Sequence, residues 1–83
     1  MPMYKNRGEN GRNNLCGEKV AEFRKAMTPK VSQRALADLL QLAGLDVDKN
    51  AIQRIESGQR FVTDIELKAL AQALGTTTDE LLK

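Results

Sequence analysis

From Cys16 to Leu82 the apolar residues of this chain recur at steps of three and four, and no segment alternates with period two. That pattern selects helices over strands, because a half-buried strand needs its apolar residues at every second position. The clearest case is Thr63-Asp64-Ile65-Glu66, followed by Leu67, Leu70, Ala71 and Leu74. Thr63 and Glu66 have the spacing of a reciprocal capping box, and Gly75 supplies the stop.

The same reasoning predicts four further helices. Cys16, Val20, Phe23 and Met27 define one over about Leu15 to Ala26, capped by Asn13 or Asn14 and broken at Thr28-Pro29. Ser32 caps a second, whose stripe is Leu36, Leu39, Leu40 and Ala43 and whose end is Gly44. Asp48 and Gly58 frame a shorter third, with Ile52 and Ile55 inward. Thr77 and Glu80 repeat the capping spacing before Leu81 and Leu82, which predicts a last short helix. The expectation is an all-α, compact five-helix bundle over residues 14–83, preceded by a flexible N-terminal arm, 1–13, in the polar run "MPMYKNRGENGRNN".

Charge says little about partners. Residues 1–30 carry seven basic and three acidic side chains, whereas 31–83 carry six and eight, within a net charge of +2. A mildly basic N-terminal segment is often only a solvated tail. Composition excludes more. Histidine is absent, and the single Cys16 can form neither an internal disulfide nor a structural zinc site. No carboxylate pair, nucleophile–base set or phosphate-cradling glycine loop stands out, so no enzyme, cofactor, metal or small-molecule ligand is expected. With no signal-peptide pattern and no spanning run, no membrane is expected either, and the cytoplasm is the default location.

The stretch "GLDVDKNAIQRIESG" admits two readings. Asp46, Asp48 and Asn50 alternate like the opening ligands of a calcium loop. Counting from Asp46, however, the position that needs glycine holds Ala51, and the position of the bidentate glutamate holds Ser57, with Glu56 one place early. The other reading makes Asp48 an N-cap. With Ile52 and Ile55 inward, Lys49, Asn50, Gln53 and Arg54 then face outward, and each can bond a base edge or a phosphate. On residue type alone, this is also the composition of an ordinary solvated helix face.

Order along the chain adds a further constraint. The segments "SQRALADLL", "NAIQRIESG" and "ELKALAQALGTTTDELL" together resemble the helix-turn-helix domains of the phage repressor and Cro family, also called the XRE family, over roughly Leu15 to Leu82. The resemblance implies a sequence-specific regulator of transcription, usually a repressor, that binds double-stranded DNA as a homodimer. Its reading helix would be the third, at about 49–57, with Lys49, Asn50, Gln53 and Arg54 as the readers. Gln33 would touch the DNA backbone and brace that helix, and Ser32 and Arg34, with Gln59, Arg60 and Thr63 in the loop after the third helix, would be further backbone contacts. The resemblance also implies that Arg24 pairs with Glu56. Two departures stand out: "LLQLAGLDVDKN" supplies about five residues more than the usual turn, and Phe61-Val62 puts two apolar residues in the following loop. The rival expectation is a protein-interaction module on the same fold, without DNA binding.

Overall fold

A computed structural model describes residues 11–83 of the chain. The expectations for the run that precedes Gly11 lie outside the described residues. Five helices follow one another: α1 (Gly17–Ala26), α2 (Gln33–Leu42), α3 (Lys49–Ser57), α4 (Asp64–Leu74) and α5 (Thr78–Leu81), with no strand among the described residues. The all-α, five-helix architecture is the one the periodicity predicts.

Side-chain chemistry sets most of the boundaries. The hydroxyl of Ser32 accepts from the Ala35 amide, and the carboxylate of Asp48 from the Ala51 amide. Thr63 and Glu66 form the full reciprocal box, each accepting from the other's backbone N–H. Thr77 accepts from the Glu80 amide, but the Glu80 carboxylate turns to Lys83 instead of completing a second box. Gly58 and Gly75 end α3 and α4 at φ +85° and +70°, a region that costs a residue with a Cβ but not glycine.

Helix α1 begins later than predicted. Leu15 and Cys16 precede it, and Leu15 is exposed while Cys16 is buried. Asn14 does the capping from two residues before the N-cap position, its Oδ1 accepting from the Gly17 amide at 2.8 Å. Gly17 is buried where α1 meets α3, and a Cβ there would overlap the Ile55 carbonyl oxygen. Only a glycine lets the two backbones approach so closely.

One core unites the helices. Cys16 and Val20 meet Leu36, Ala37 and Leu40 of α2, Ala51, Ile52 and Ile55 of α3, Leu70, Ala71 and Leu74 of α4, and Leu81 of α5. Phe23, Met27 and Val62 pack at its margin, half-buried. The predicted stripe on α2 needs correction: Leu39 is 39% exposed and Ala43 is exposed, while Ala37 is buried in their stead. A stripe on 36, 37 and 40 turns the far end of the helix away from the core.

The enlarged turn explains that rotation. Helix α2 runs to Leu42, and Gly44, at φ +93°, closes it with the Leu45 amide bonded back to the Leu40 carbonyl. Leu42 projects into solvent at 85% exposure. The chain is then pulled back by Val47, which is buried, and by the Gln41 side chain, whose Nε2 donates to the Val47 carbonyl at 2.8 Å. The turn is therefore long but anchored, and it delivers α3 against α2.

Candidate nucleic-acid interface

Helix α3 has two unlike faces. Ala51, Ile52 and Ile55 are buried, and burying each isoleucine stabilises the docked helix by about 1.5–3 kcal/mol. Lys49, Asn50, Gln53, Arg54 and Ser57 are exposed, at spacings that place them on the opposite side. Among the described residues, no hydrogen bond occupies the side chains of Lys49, Asn50, Gln53 or Arg54. They present two cations and two amides, the groups that recognise phosphate and base edges.

Glu56 fixes the orientation of this face. Its carboxylate receives Arg24 Nε at 2.7 Å and Arg24 Nη2 at 3.0 Å, a bidentate pair from α1. It also receives Gln33 Nε2 at 2.9 Å from the start of α2. The side chains of Arg24 and Glu56 are only 11% and 9% exposed, and Arg24 spends Nη1 on the Val31 carbonyl. Two other helices thus converge on one carboxylate, which holds α3 in a single rotation. Gln33 is half-buried and engaged in this bracing, while its neighbour Arg34 is exposed.

The groove between α2 and the start of α3 mixes charge. Arg34 and Lys49 line it together with Asp38, Gln41 and Asp48. Asp48 is committed to the Ala51 amide, which accounts for it as helix-start chemistry, and a helix that begins at Lys49 cannot also wrap a calcium loop.

Beyond α3 the predicted residues part company. Gln59 is exposed. Arg60 is half-buried, its Nη2 donating to Glu66 Oε2 at 2.9 Å and its Nε enclosed without a partner among the described residues. Glu66 therefore serves the Thr63 amide with one oxygen and Arg60 with the other. Arg60 is thus a tether between the loop and α4 as it stands. Phe61 and Ile65, near this tether, are exposed, as is Leu15.

The contacts of Arg12 and Asn13 with the end of α3 are not visible in the sequence. Arg12 and Asn13, counted with the flexible arm, are held against the end of α3: the Asn13 amide donates to the Gly58 carbonyl at 2.8 Å, and Arg12 Nη2 to the Glu56 carbonyl at 2.8 Å. Both residues therefore bond to the helical domain that follows them. No sequence signal marks these bonds, since arginine and asparagine beside glycine have no apolar period. Cys16 is buried, and that burial raises its thiol pKa above the ordinary value of 9.0, which disfavours the reactive thiolate.

Among the described residues no helix is long and apolar enough to cross a membrane. Comparison with known proteins returns no curated protein and no solved structure that matches. The profile of one family, described as helix-turn-helix, matches residues 20–81, which takes in four helices whole and most of α1. Proteins of that family characteristically bind DNA and regulate transcription. With the match spanning most of the chain, and α2 and α3 in the order and packing the motif requires, the protein belongs to the XRE-type helix-turn-helix family.

Proposed function

We propose that this protein is a sequence-specific double-stranded DNA-binding repressor that acts as a homodimer in the cytoplasm, reading the major groove with α3. The observation that carries the reading is the outer face of α3. Lys49, Asn50, Gln53 and Arg54 stand exposed on a helix whose inner face is buried and whose Glu56 is held from two other helices. Base readout needs donors and acceptors at fixed positions, and a helix locked in rotation supplies them without ordering at the moment of binding. Arg34 and Gln59 are the further contacts that support phosphate positioning, with Gln33 acting mainly as the brace. No catalytic role is part of this reading.

Selection of bound duplexes from a random pool tests it. Enrichment of an inverted repeat, with half-sites about 34 Å apart along the helix, is expected for a homodimer. A pool that stays random after repeated rounds refutes sequence-specific binding.

The second reading is a protein-interaction module on the same fold. The exposed Leu15, Phe61 and Ile65 favour it, since large apolar side chains left in solvent are groups a partner protein can cover. The same residues also suit the partner copy in a homodimer. A salt series separates the two classes: DNA binding weakens with a log–log slope of about −0.9 per neutralised phosphate, whereas an apolar protein contact barely responds.

A further inference from the structure

Every backbone carbonyl from Ile55 to Arg60 accepts a hydrogen bond from the three residues Arg12, Asn13 and Asn14. Asn14 Nδ2 donates to the Ile55 carbonyl at 3.0 Å and to that of Arg60 at 2.7 Å. Arg12 Nη2 donates to Glu56 at 2.8 Å and Nη1 to Ser57 at 3.3 Å. The Asn13 amide donates to Gly58 at 2.8 Å, and its side chain to Gln59 at 2.9 Å. These residues precede the stretch that matches the family.

We propose that Arg12-Asn13-Asn14 is a positioning strap for the DNA-reading helix, fixing where α3 ends and where Gln59 and Arg60 stand; this rests on α3 being that helix. A helix leaves its last four carbonyls without partners in the helix itself. Within α3 the Arg54 carbonyl is served by the Gln59 and Arg60 amides and that of Ile55 by Gly58, but those of Glu56 and Ser57 receive, among the described residues, only Arg12. The guanidinium lies over Gly58, where a Cβ would meet Arg12 Cζ, so the glycine serves both the left-handed turn and the strap.

The strap's cation is placed to position and not to contact. Arg12 has a side chain only 21% exposed, its donors face carbonyls at the negative end of the α3 dipole, and Glu18 lies 3.8 Å away. Asn13 and Asn14 act on the loop beyond: by holding the carbonyls of Gln59 and Arg60 they fix the backbone from which those side chains start. Without them the loop must order when DNA binds, and the entropy of one released residue alone weakens binding on the order of tenfold.

The test uses the full chain with Arg12→Ala, Arg12→Lys and Asn13→Ala. Each is titrated with the duplex enriched by the unaltered protein and with a scrambled duplex of equal length. Measurements run over several salt concentrations, at a temperature where thermal melting shows the variant folded. Asn13→Ala removes one hydrogen bond at the surface and keeps the test open if Arg12→Ala does not fold. The expected result is an affinity loss on the order of tenfold for the enriched duplex, a smaller loss for the scrambled one, an unchanged salt slope and partial recovery with Arg12→Lys. A shallower slope for Arg12→Ala, by about 0.9, makes Arg12 a direct phosphate contact and overturns the proposal. An unchanged ratio of enriched to scrambled affinity overturns it too, leaving the strap as support for the fold alone. If the unaltered protein enriches no duplex, the assignment of α3 falls and the proposal with it; if it does and the variants match it, only the proposal falls.

Discussion

Replacing Glu56 with alanine removes the acceptor shared by Arg24 Nε, Arg24 Nη2 and Gln33 Nε2. The guanidinium stays in place because its Nη1 still bonds the Val31 carbonyl, and at 11% exposure water reaches it poorly. Breaking such a pair by deleting one partner costs about 3–5 kcal/mol in a buried site, and the remaining exposure puts the lower end in force, about 3 kcal/mol. A domain of this size holds only about 4–10 kcal/mol of total stability, so the midpoint of thermal unfolding should fall on the order of 15 °C. Urea unfolding followed by circular dichroism measures the loss, with an unchanged m-value certifying that both variants unfold between the same states. Glu56→Gln keeps the shape and one acceptor oxygen and should lose less. Paired Arg24→Met with Glu56→Leu should recover much of the loss, because the penalty lies in the orphaned charge. A loss from Glu56→Ala below about half a kcal/mol would refute the view that this carboxylate fixes α3.

The remaining expectations concern separate features. Gly17→Ala should destabilise by about 1–3 kcal/mol in the same urea assay, opposite in sign to the gain that alanine gives in an unhindered helix, because the new Cβ meets the Ile55 backbone. Asn50→Ala or Gln53→Ala should each relax preference at one base position by about 1–3 kcal/mol in competition binding, with random DNA almost unaffected; equal losses on both would remove α3 from base reading. Millimolar calcium should leave the thermal midpoint unchanged, and a rise of several degrees reversed by chelator would restore the calcium reading. For Cys16 the folded pKa is raised, so its contribution is fully present below the unfolded value of 9.0 and is lost as pH rises toward the folded value. Stability should decline above about pH 9 in the cysteine-containing protein and less so in Cys16→Ala, as urea midpoints across pH would show.

The parts of the fold that were legible in the sequence are those encoded locally. Ser32, Asp48, Thr63 and Thr77 each bond an amide three residues on, so their role is visible within a single turn. The stripe on α2 was misjudged at Leu39 and Ala43, because the enlarged turn rotates the end of that helix outward and periodicity carries no information about which way a lengthened helix leaves the core. In the candidate site, exposure of Lys49, Asn50, Gln53 and Arg54 follows from the positions of Ile52 and Ile55. The engagement of Arg60 by Glu66 does not, since Glu66 already had a local explanation as the capping partner of Thr63. Gly17 carries no signal either, for its need arises from a backbone 38 residues away in sequence, at Ile55.

That separation in sequence has a kinetic side. The bonds from Arg12, Asn13 and Asn14 to the end of α3 span 41 to 46 residues, whereas α2 and α3 are neighbours along the chain. Contacts that close long loops are entropically expensive and form late, after the helical hairpins have gathered. The α2–α3 pair should therefore assemble first and be locked at its far end last. Substitutions at residues 12–14 should then accelerate unfolding while leaving the folding rate nearly untouched, so that this segment governs how long a folded molecule survives more than how quickly it is made.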